Sequence, residues 1–419
     1  MRTYLALLGI CVAFCGELAA QRACSTASYL QIQTQDHPSL SNQIISAQNF
    51  VSRRIAEKKS QIFSAREQQS TIIIPVIVHV LYHYSFENIS DKQVLAQVET
   101  LNTSFRKRNA DTANIPLYFK GKAADCKIEF QLAVSDPAKR ATTGIIHKYT
   151  PITEWRDDDK VKRSSEMGDD AWEAGSYLNI WVCNLKGLAG YASVPGCDPA
   201  VDGIVIDYAD FGPNQSSGYE LGRTAVHETG HWLGLKHIWG DDYCGDDFVA
   251  DTPPQSTFTQ GCPTNGHASC NNASLGGDMY MNYMDYSNDA CVTMFTEGQK
   301  ERMRALFDPG GARYSLLSSA GLNRPASESA SLPEESPSWL YARLYPNPAT
   351  DEIRLDIAYD ARWVGKTISI YDTHGESVQQ VLITGKVQVI SLRGLRPGIY
   401  FLTARREDGS YIKQKFIKF

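Results

Sequence analysis

From Thr71 to Tyr84 the chain reads TIIIPVIVHVLYHY, a β-branched apolar run. That pattern predicts a strand buried on both faces. The next stretch, SDKQVLAQVETLNTSF, pairs Ser90 with Gln93 as a capping signature and repeats Val94, Val98, Leu101 and Phe105 at helical spacing. CKIEFQLAV, YLNIWVCNL, GLAGYASVP and GIVIDYADF read as further strands. Residues 71–212 are therefore expected to form a strand-rich sheet with one clear helix against it. Ser217 and Glu220 give a second capping signature, predicting a helix after them that carries the start of TAVHETGHWLGLKHIWG at 224–240. From Trp239 to Asn288 periodicity is lost among Gly, Asp, Asn and Cys. Thr296 and Gln299 open a last helix, stopped by Asp308-Pro309-Gly310. Residues 318–338 are rich in Ser, Glu and Pro and predict a linker. Five short alternating strands follow to the C-terminus, the pattern of a small β-sandwich.

The N-terminus changes this picture. Arg2, an apolar run from Tyr4 to Cys15, and Ala19-Ala20 before Gln21 make residues 1–20 a secretory signal peptide. Residues 21–65 are polar, with Arg53-Arg54 and Arg66 as processing points. They read as a pro-segment, the alternative being a flexible tail. The remaining divisions are a catalytic domain at 66–315, a linker at 316–340 and a final domain at 341–419. No segment beyond the signal peptide is long and apolar enough to span a bilayer. A net charge of -6 over 419 residues argues against a general nucleic-acid binder. Export permits disulfides. Cys244, Cys262, Cys270 and Cys291 cluster after the 224–240 helix, and their spacing alone allows three pairings.

The chemistry lies in that helix. His227 and His231 are four apart and share a face. Glu228 sits about 100° round the axis, out of ligand reach but near a bound water. Gly234 lets the helix stop and the chain turn, returning His237 to the same ion. Three neutral imidazoles with one open position are the set expected of catalytic zinc. Zinc would bring its water toward neutrality, and Glu228 would take the proton and pass it to a leaving amine.

HETGHWLGLKH matches the metzincin signature. With DTPP at 251–254, the cysteine spacing and MNYMDYS, the stretch 71–310 resembles the pappalysin family of metalloproteases. The resemblance implies an α+β metzincin fold: a twisted mixed, mostly parallel sheet with helices over an irregular, disulfide-stapled lower part. It implies Met284 as the methionine turn beneath the metal, and Tyr286 as a catalytic group holding the oxyanion. It also implies the disulfides Cys244–Cys270 and Cys262–Cys291. Structural calcium is expected by the same resemblance, with Asp246, Asp251 and the Thr252 carbonyl as candidate ligands. The family tends to cleave before basic residues, and Asp289 is the candidate specificity carboxylate. Cys24 is the candidate latency switch, its thiolate filling zinc's open position; the alternative is a disulfide with Cys126, Cys183 or Cys197.

LYPNPATDEIRLDI, ISIYDTHGESV and the final GIYFLTARREDGSYIKQKFIKF resemble the type IX secretion C-terminal sorting domain. Together these readings give a secreted or surface-attached zinc endopeptidase that acts on protein or peptide substrates and engages the type IX machinery. The alternative is a surface-bound adhesin or binding module that keeps zinc without turnover.

Overall fold

In a computed structural model of the chain, the described residues are 23–60, 70–213, 220–263, 266–323, 327–330, 342–357, 363–406 and 411–419. The signal-peptide reading, Arg66, Ser217 and most of the expected linker lie outside them.

Eight strands precede residue 210: β1 (Ala23–Cys24), β2 (Ile72–Tyr82), β3 (Ile128–Leu132), β4 (Arg140–Ala141), β5 (Ile145–Tyr149), β6 (Leu178–Cys183), β7 (Leu188–Ala192) and β8 (Ile204–Asp207). All but β4 form one sheet in the order β1-β7-β8-β6-β2-β3, with β5 also on β2. β2 pairs in parallel with β3 through Ile72–Val76, with β5 through Val78–Tyr82, and with β6. Every β2 residue except Ile73 is buried, which explains its uninterrupted apolar run. Only β7 runs antiparallel to its neighbour β8, so the sheet is mixed and mostly parallel.

The helices are α1 (Thr26–Asp36), α2 (Pro38–Ser60), α3 (Asp91–Phe105), α4 (Leu117–Lys120), α5 (Arg223–Trp232) and α6 (Glu297–Ala305). In α3 the Ser90 hydroxyl accepts the Gln93 N–H, and Val94, Val98, Leu101 and Phe105 are buried against the sheet. In α6, Thr296 and Gln299 close a full capping box. One core joins β2, β6 and β8 to α3, α5, α6 and the lower part, including Met284 and Phe295.

Two expectations need correction. α5 does not start from a Ser217 cap: its N-cap is Gly222, with φ +73° and no side-chain cap. The cap is tertiary, because Asp289 Oδ2 accepts the N–H of both Leu221 and Arg223. Second, the chain stays on the catalytic body beyond Ser318. The Gly321 carbonyl accepts Val134 and Ser135, and Ser319 bonds the Ser176 carbonyl. Described residues 23–60 do not match the flexible tail given as the alternative to a pro-segment. They form β1, α1 and α2, with Tyr29 and Val51 buried and Arg54 and Lys58 paired to Asp308.

The last strands are β9 (Ser327–Ala330), β10 (Arg343–Tyr345), β11 (Glu352–Asp356), β12 (Thr367–Tyr371), β13 (Ser377–Leu382), β14 (Val387–Ser391), β15 (Gly398–Arg405) and β16 (Tyr411–Lys418). β10-β11-β14 and β13-β12-β15-β16 are two antiparallel sheets. Their inward residues, among them Ile353, Ile368, Leu402 and Phe416, make a separate core.

Candidate metal centre and catalytic cleft

All ten residues of α5 are buried. The helix ends in a Schellman turn: Leu235 N–H bonds Gly230 O at 3.0 Å, and Gly234 N–H bonds His231 O at 2.8 Å. Gly234 sits at φ +80°, the left-handed region that makes this turn possible. The reversal brings His237 back to the helix.

The three Nε2 atoms lie 3.1 Å (His227–His231), 3.1 Å (His231–His237) and 3.3 Å (His227–His237) apart. Each Nδ1 meets an acceptor: Tyr283 O at 2.6 Å for His227, Leu235 O at 2.9 Å for His231, and the Asp241 carboxylate for His237. A proton on each Nδ1 leaves three Nε2 lone pairs facing one point with no hydrogen between them. Burial pushes His227 and His237 down to about 3, and His231 well below its ordinary value, so the rings stay neutral. Converging neutral nitrogens repel one another unless a cation sits among them, so this donor set fits zinc.

Cys24 completes the group. Its sulfur and the ligand nitrogens of His227, His231 and His237 lie within 4.8 Å of one another, the one such set among the described residues. Cys24 is not disulfide-bonded, nor are Cys126, Cys183 and Cys197. Burial, then the Glu228 charge, pushes its thiol well up. A divalent cation is the charge that would hold it as thiolate.

Glu228 is fully buried and pushed up to about 8 by that burial. Its Oε2 accepts the Thr26 hydroxyl at 2.9 Å, while Oε1 is buried with no partner. Above it runs β7. A Cβ on Gly190 would come 3.0 Å from Glu228 Cγ and 2.8 Å from Val205 O, so the rim needs glycine here. β1 lies along this rim in parallel, with Ala23 opposite Leu188 and Cys24 opposite Gly190.

Beneath the histidines, Met284 is buried, and its sulfur fills the place a Cβ on Gly230 would take. Tyr286 donates its hydroxyl to Cys24 O at 2.9 Å, its ring edge-on to His237 at 4.9 Å. Trp239 stacks on His237 at 4.3 Å. Next to Glu228, a cavity of about 40 Å³ is lined by Arg223, Thr224, His227, Tyr286 and Asp289. Asp289 is buried, and burial lifts it to about 6 against the opposing pull of the Arg223 and Leu221 N–H groups.

The cysteines after the helix form Cys244–Cys270 and Cys262–Cys291. The calcium candidates Asp246 and Asp251 both accept hydrogen bonds from the protein. Asp251 spends both oxygens on α6, accepting Thr296 Oγ1 at 2.7 Å and Gly298 N–H at 2.9 Å. Thr252 donates its hydroxyl to Asp247, and Asp246 accepts Phe248 N–H. Sequence reasoning missed two groups at the centre. Asp241 lies four residues after His237 in an acid-rich loop and holds its Nδ1. Thr26 carried no signal, because its partners Glu228 and Ala192 are distant in sequence.

A family model described as pregnancy-associated plasma protein-A matches residues 161–308, and one described as a secretion system C-terminal sorting domain matches 343–418. Mature mirolysin of Tannerella forsythia, solved with a cleaved peptide, is 48% identical; the match covers 59% of this chain and 96% of that one, with TM-score 0.58. A promirolysin mutant of Tannerella forsythia is 43% identical over 71% of this chain and 97% of that one, with TM-score 0.63. An extracellular metalloprotease of Arthroderma otae is 32% identical over 259 residues, 58% of this chain and 83% of that protein.

Proposed function

Since the chain belongs to the pregnancy-associated plasma protein-A family of metallopeptidases and is a secreted or surface-attached zinc metalloendopeptidase, we propose that it cleaves peptide bonds before basic residues, and that its N-terminal segment holds it latent. The observation that carries the chemistry is the convergence of three proton-free imidazole nitrogens beside a buried carboxylate.

His227, His231 and His237 would hold zinc, whose Lewis acidity polarises the scissile carbonyl and the attacking water. Glu228 accepts that water's proton and delivers it to the leaving amine. Its elevated pKa suits a group that must take and return a proton near neutrality. Tyr286 donates to the carbonyl oxygen as it gains charge; in this structure its hydroxyl already holds a carbonyl, that of Cys24. The β7 edge supplies backbone partners for an extended substrate. Asp289, in the cavity beside Glu228 and Arg223, would pair with the basic side chain that follows the cut bond.

Latency follows from the same contacts. Cys24 lies against the three histidines, where its sulfur would compete with water for the metal, and Thr26 engages Glu228, so the segment occupies the place a substrate would need. Separation would come by cutting the chain before Arg66. A cut before Arg54 falls within α2, where Arg54 is tied to Glu57 and Asp308. Calcium remains in this reading through the family resemblance, at the turn from Asp246 to Thr252; a calcium-dependent rise in Tm tests it. The final domain directs export through the type IX machinery, and its detachment or retention decides between release and surface attachment.

Casein digestion with and without a zinc chelator, alongside Glu228→Ala, tests the reaction. The variant is expected to bind zinc normally and lose activity by about 10²–10⁴-fold. Equal digestion by both proteins eliminates the mechanism, whereas no digestion by either processed protein favours a binding module. Sequencing cleavage sites in a peptide library tests the basic preference separately.

A further inference from the structure

A second buried constellation lies on the other face of β7, away from the cleft. Lys162 is fully buried, its Nζ 2.9 Å from Asp159 Oδ1 and 2.8 Å from Val201 O. Three rings enclose the ammonium: Tyr191 at 4.7 Å, and Tyr29 and Trp181 each at 5.5 Å. Asp159 is 3% exposed and sits at φ +60°, a conformation few non-glycine residues adopt. Its Oδ1 also receives the Tyr191 hydroxyl at 3.3 Å. Its Oδ2 receives the Tyr29 hydroxyl at 2.8 Å.

Tyr29 is the outsider in this group. It comes from α1 of the N-terminal segment, is 2% exposed, and packs at 5.0 Å against Tyr191. Every other member belongs to the catalytic body. The pocket is thus built by the enzyme and filled by a side chain that processing would detach. A buried carboxylate, a buried ammonium and an aromatic wall suit a phenol: the ring stacks and the hydroxyl donates to the carboxylate.

We propose that the Asp159–Lys162–Tyr191 pocket is a binding site for a tyrosine side chain, separate from the catalytic cleft, and that through Tyr29 it keeps the N-terminal segment associated after the chain is cut. The proposal rests on the latency reading above and extends it. The segment becomes a dissociable inhibitor with an anchor that needs neither the metal nor Cys24. Substrate and segment compete for the cleft, but only the segment grips both faces of β7.

The test uses enzyme matured from the full chain by its own processing and freed of the segment under mild denaturant. It is titrated with synthetic peptides spanning residues 23–60, all carrying Cys24→Ala so that the thiol plays no part. The peptide retaining Tyr29 is expected to inhibit, and the Tyr29→Phe peptide to inhibit about 10- to 100-fold more weakly, as loss of a charge-assisted hydrogen bond requires. Because this substitution is in the peptide, enzyme folding is untouched. On an Asp159→Asn enzyme with normal zinc content the two peptides should differ less than about threefold, since substitutions at contacting groups are not additive. Equal inhibition by both peptides on the unaltered enzyme overturns the pocket while leaving latency standing. Undiminished discrimination by Asp159→Asn also overturns it. If neither peptide binds, the pocket is overturned as an anchor, while latency through Cys24 stands, because the peptides lack the thiol.

Discussion

Thr26 donates its hydroxyl hydrogen bond to Glu228 Oε2 at 2.9 Å and accepts the Ala192 N–H at 2.9 Å on the same oxygen. One side chain of the N-terminal segment thereby bridges Glu228 to the rim strand, two residues from the sulfur beside the histidines. Valine has the same shape but no hydroxyl. In Thr26→Val both the Glu228 oxygen and the Ala192 N–H lose a buried partner, which costs on the order of 1–3 kcal/mol of segment docking. The full-length protein should then process itself about tenfold faster, followed as a time course by gel electrophoresis. Cys24→Ala should accelerate it further, because metal coordination outweighs two hydrogen bonds. An unchanged half-time in Thr26→Val shows that the hydroxyl contributes nothing to latency.

Asp241 orients His237 by accepting its Nδ1–H, while backbone carbonyls serve His227 and His231. Only the His237 orienter can therefore be removed by mutation. Asp241→Ala should weaken zinc binding by about 10- to 100-fold, measured by competition with a chromogenic chelator. Activity per zinc-loaded molecule should fall much less. Unaltered zinc affinity would show that the stacked Trp239 ring suffices to fix the imidazole.

Much of this architecture is legible in the sequence because burial writes a period. β2, α3 and α6 were predictable: one is apolar throughout, one repeats its buried residues at helical spacing, and one is announced by its capping box. The three histidines were legible because a helix and a glycine turn fix their geometry locally. Contacts made across the fold left no trace. The cap of α5 comes from Asp289, more than sixty residues downstream, so a local Ser–Glu pair was a false signal. α2 buries only Val51 among its 23 residues, and a helix so exposed carries too little apolar periodicity to separate from a tail. Asp251, a calcium candidate by resemblance, also caps α6 through Thr296 and Gly298, a contact that no spacing rule reveals.

Gly234 offers a test of backbone geometry against space. An added Cβ would meet Pro195 Cγ at 3.4 Å, an ordinary contact, so crowding is not the obstacle. The obstacle is φ +80°, which costs an L-residue about 1–2 kcal/mol. Gly234→Ala should lower the Tm of the zinc-loaded protein by roughly 2–8 °C, given about 2–4 °C per kcal/mol for a domain of this size. It should also weaken zinc binding, because relaxing the turn moves His237. Differential scanning fluorimetry with and without chelator reads both effects. A larger loss of Tm without zinc than with it would contradict the coupling between turn and metal.

Asp289 combines two duties that a pH series can separate. It caps α5 through the N–H groups of Leu221 and Arg223, and it lines the cavity beside Glu228. Burial raises it to about 6, so it is neutral below that pH and ionised above it. A basic side chain after the scissile bond gains from the ionised form alone, whereas an apolar one does not. The ratio of kcat/KM for matched peptides with Arg or Leu at that position should therefore rise with pH and level off above about 6. Taking the ratio cancels the titration of Glu228 and changes in zinc occupancy, which affect both peptides alike. Because kcat/KM reports ionisation of the free enzyme, the midpoint should lie at about 6, the value of the cavity without substrate. Asp289→Asn keeps a carbonyl oxygen for the two N–H groups but carries no charge. Its Tm should stay near that of the unaltered enzyme, while the ratio drops by about 10- to 100-fold and loses its pH dependence. Asp289→Ala should lose the cap as well, costing about 1–2 kcal/mol of stability. A ratio that stays high and flat in Asp289→Asn would place the basic preference elsewhere and leave Asp289 as a helix cap alone.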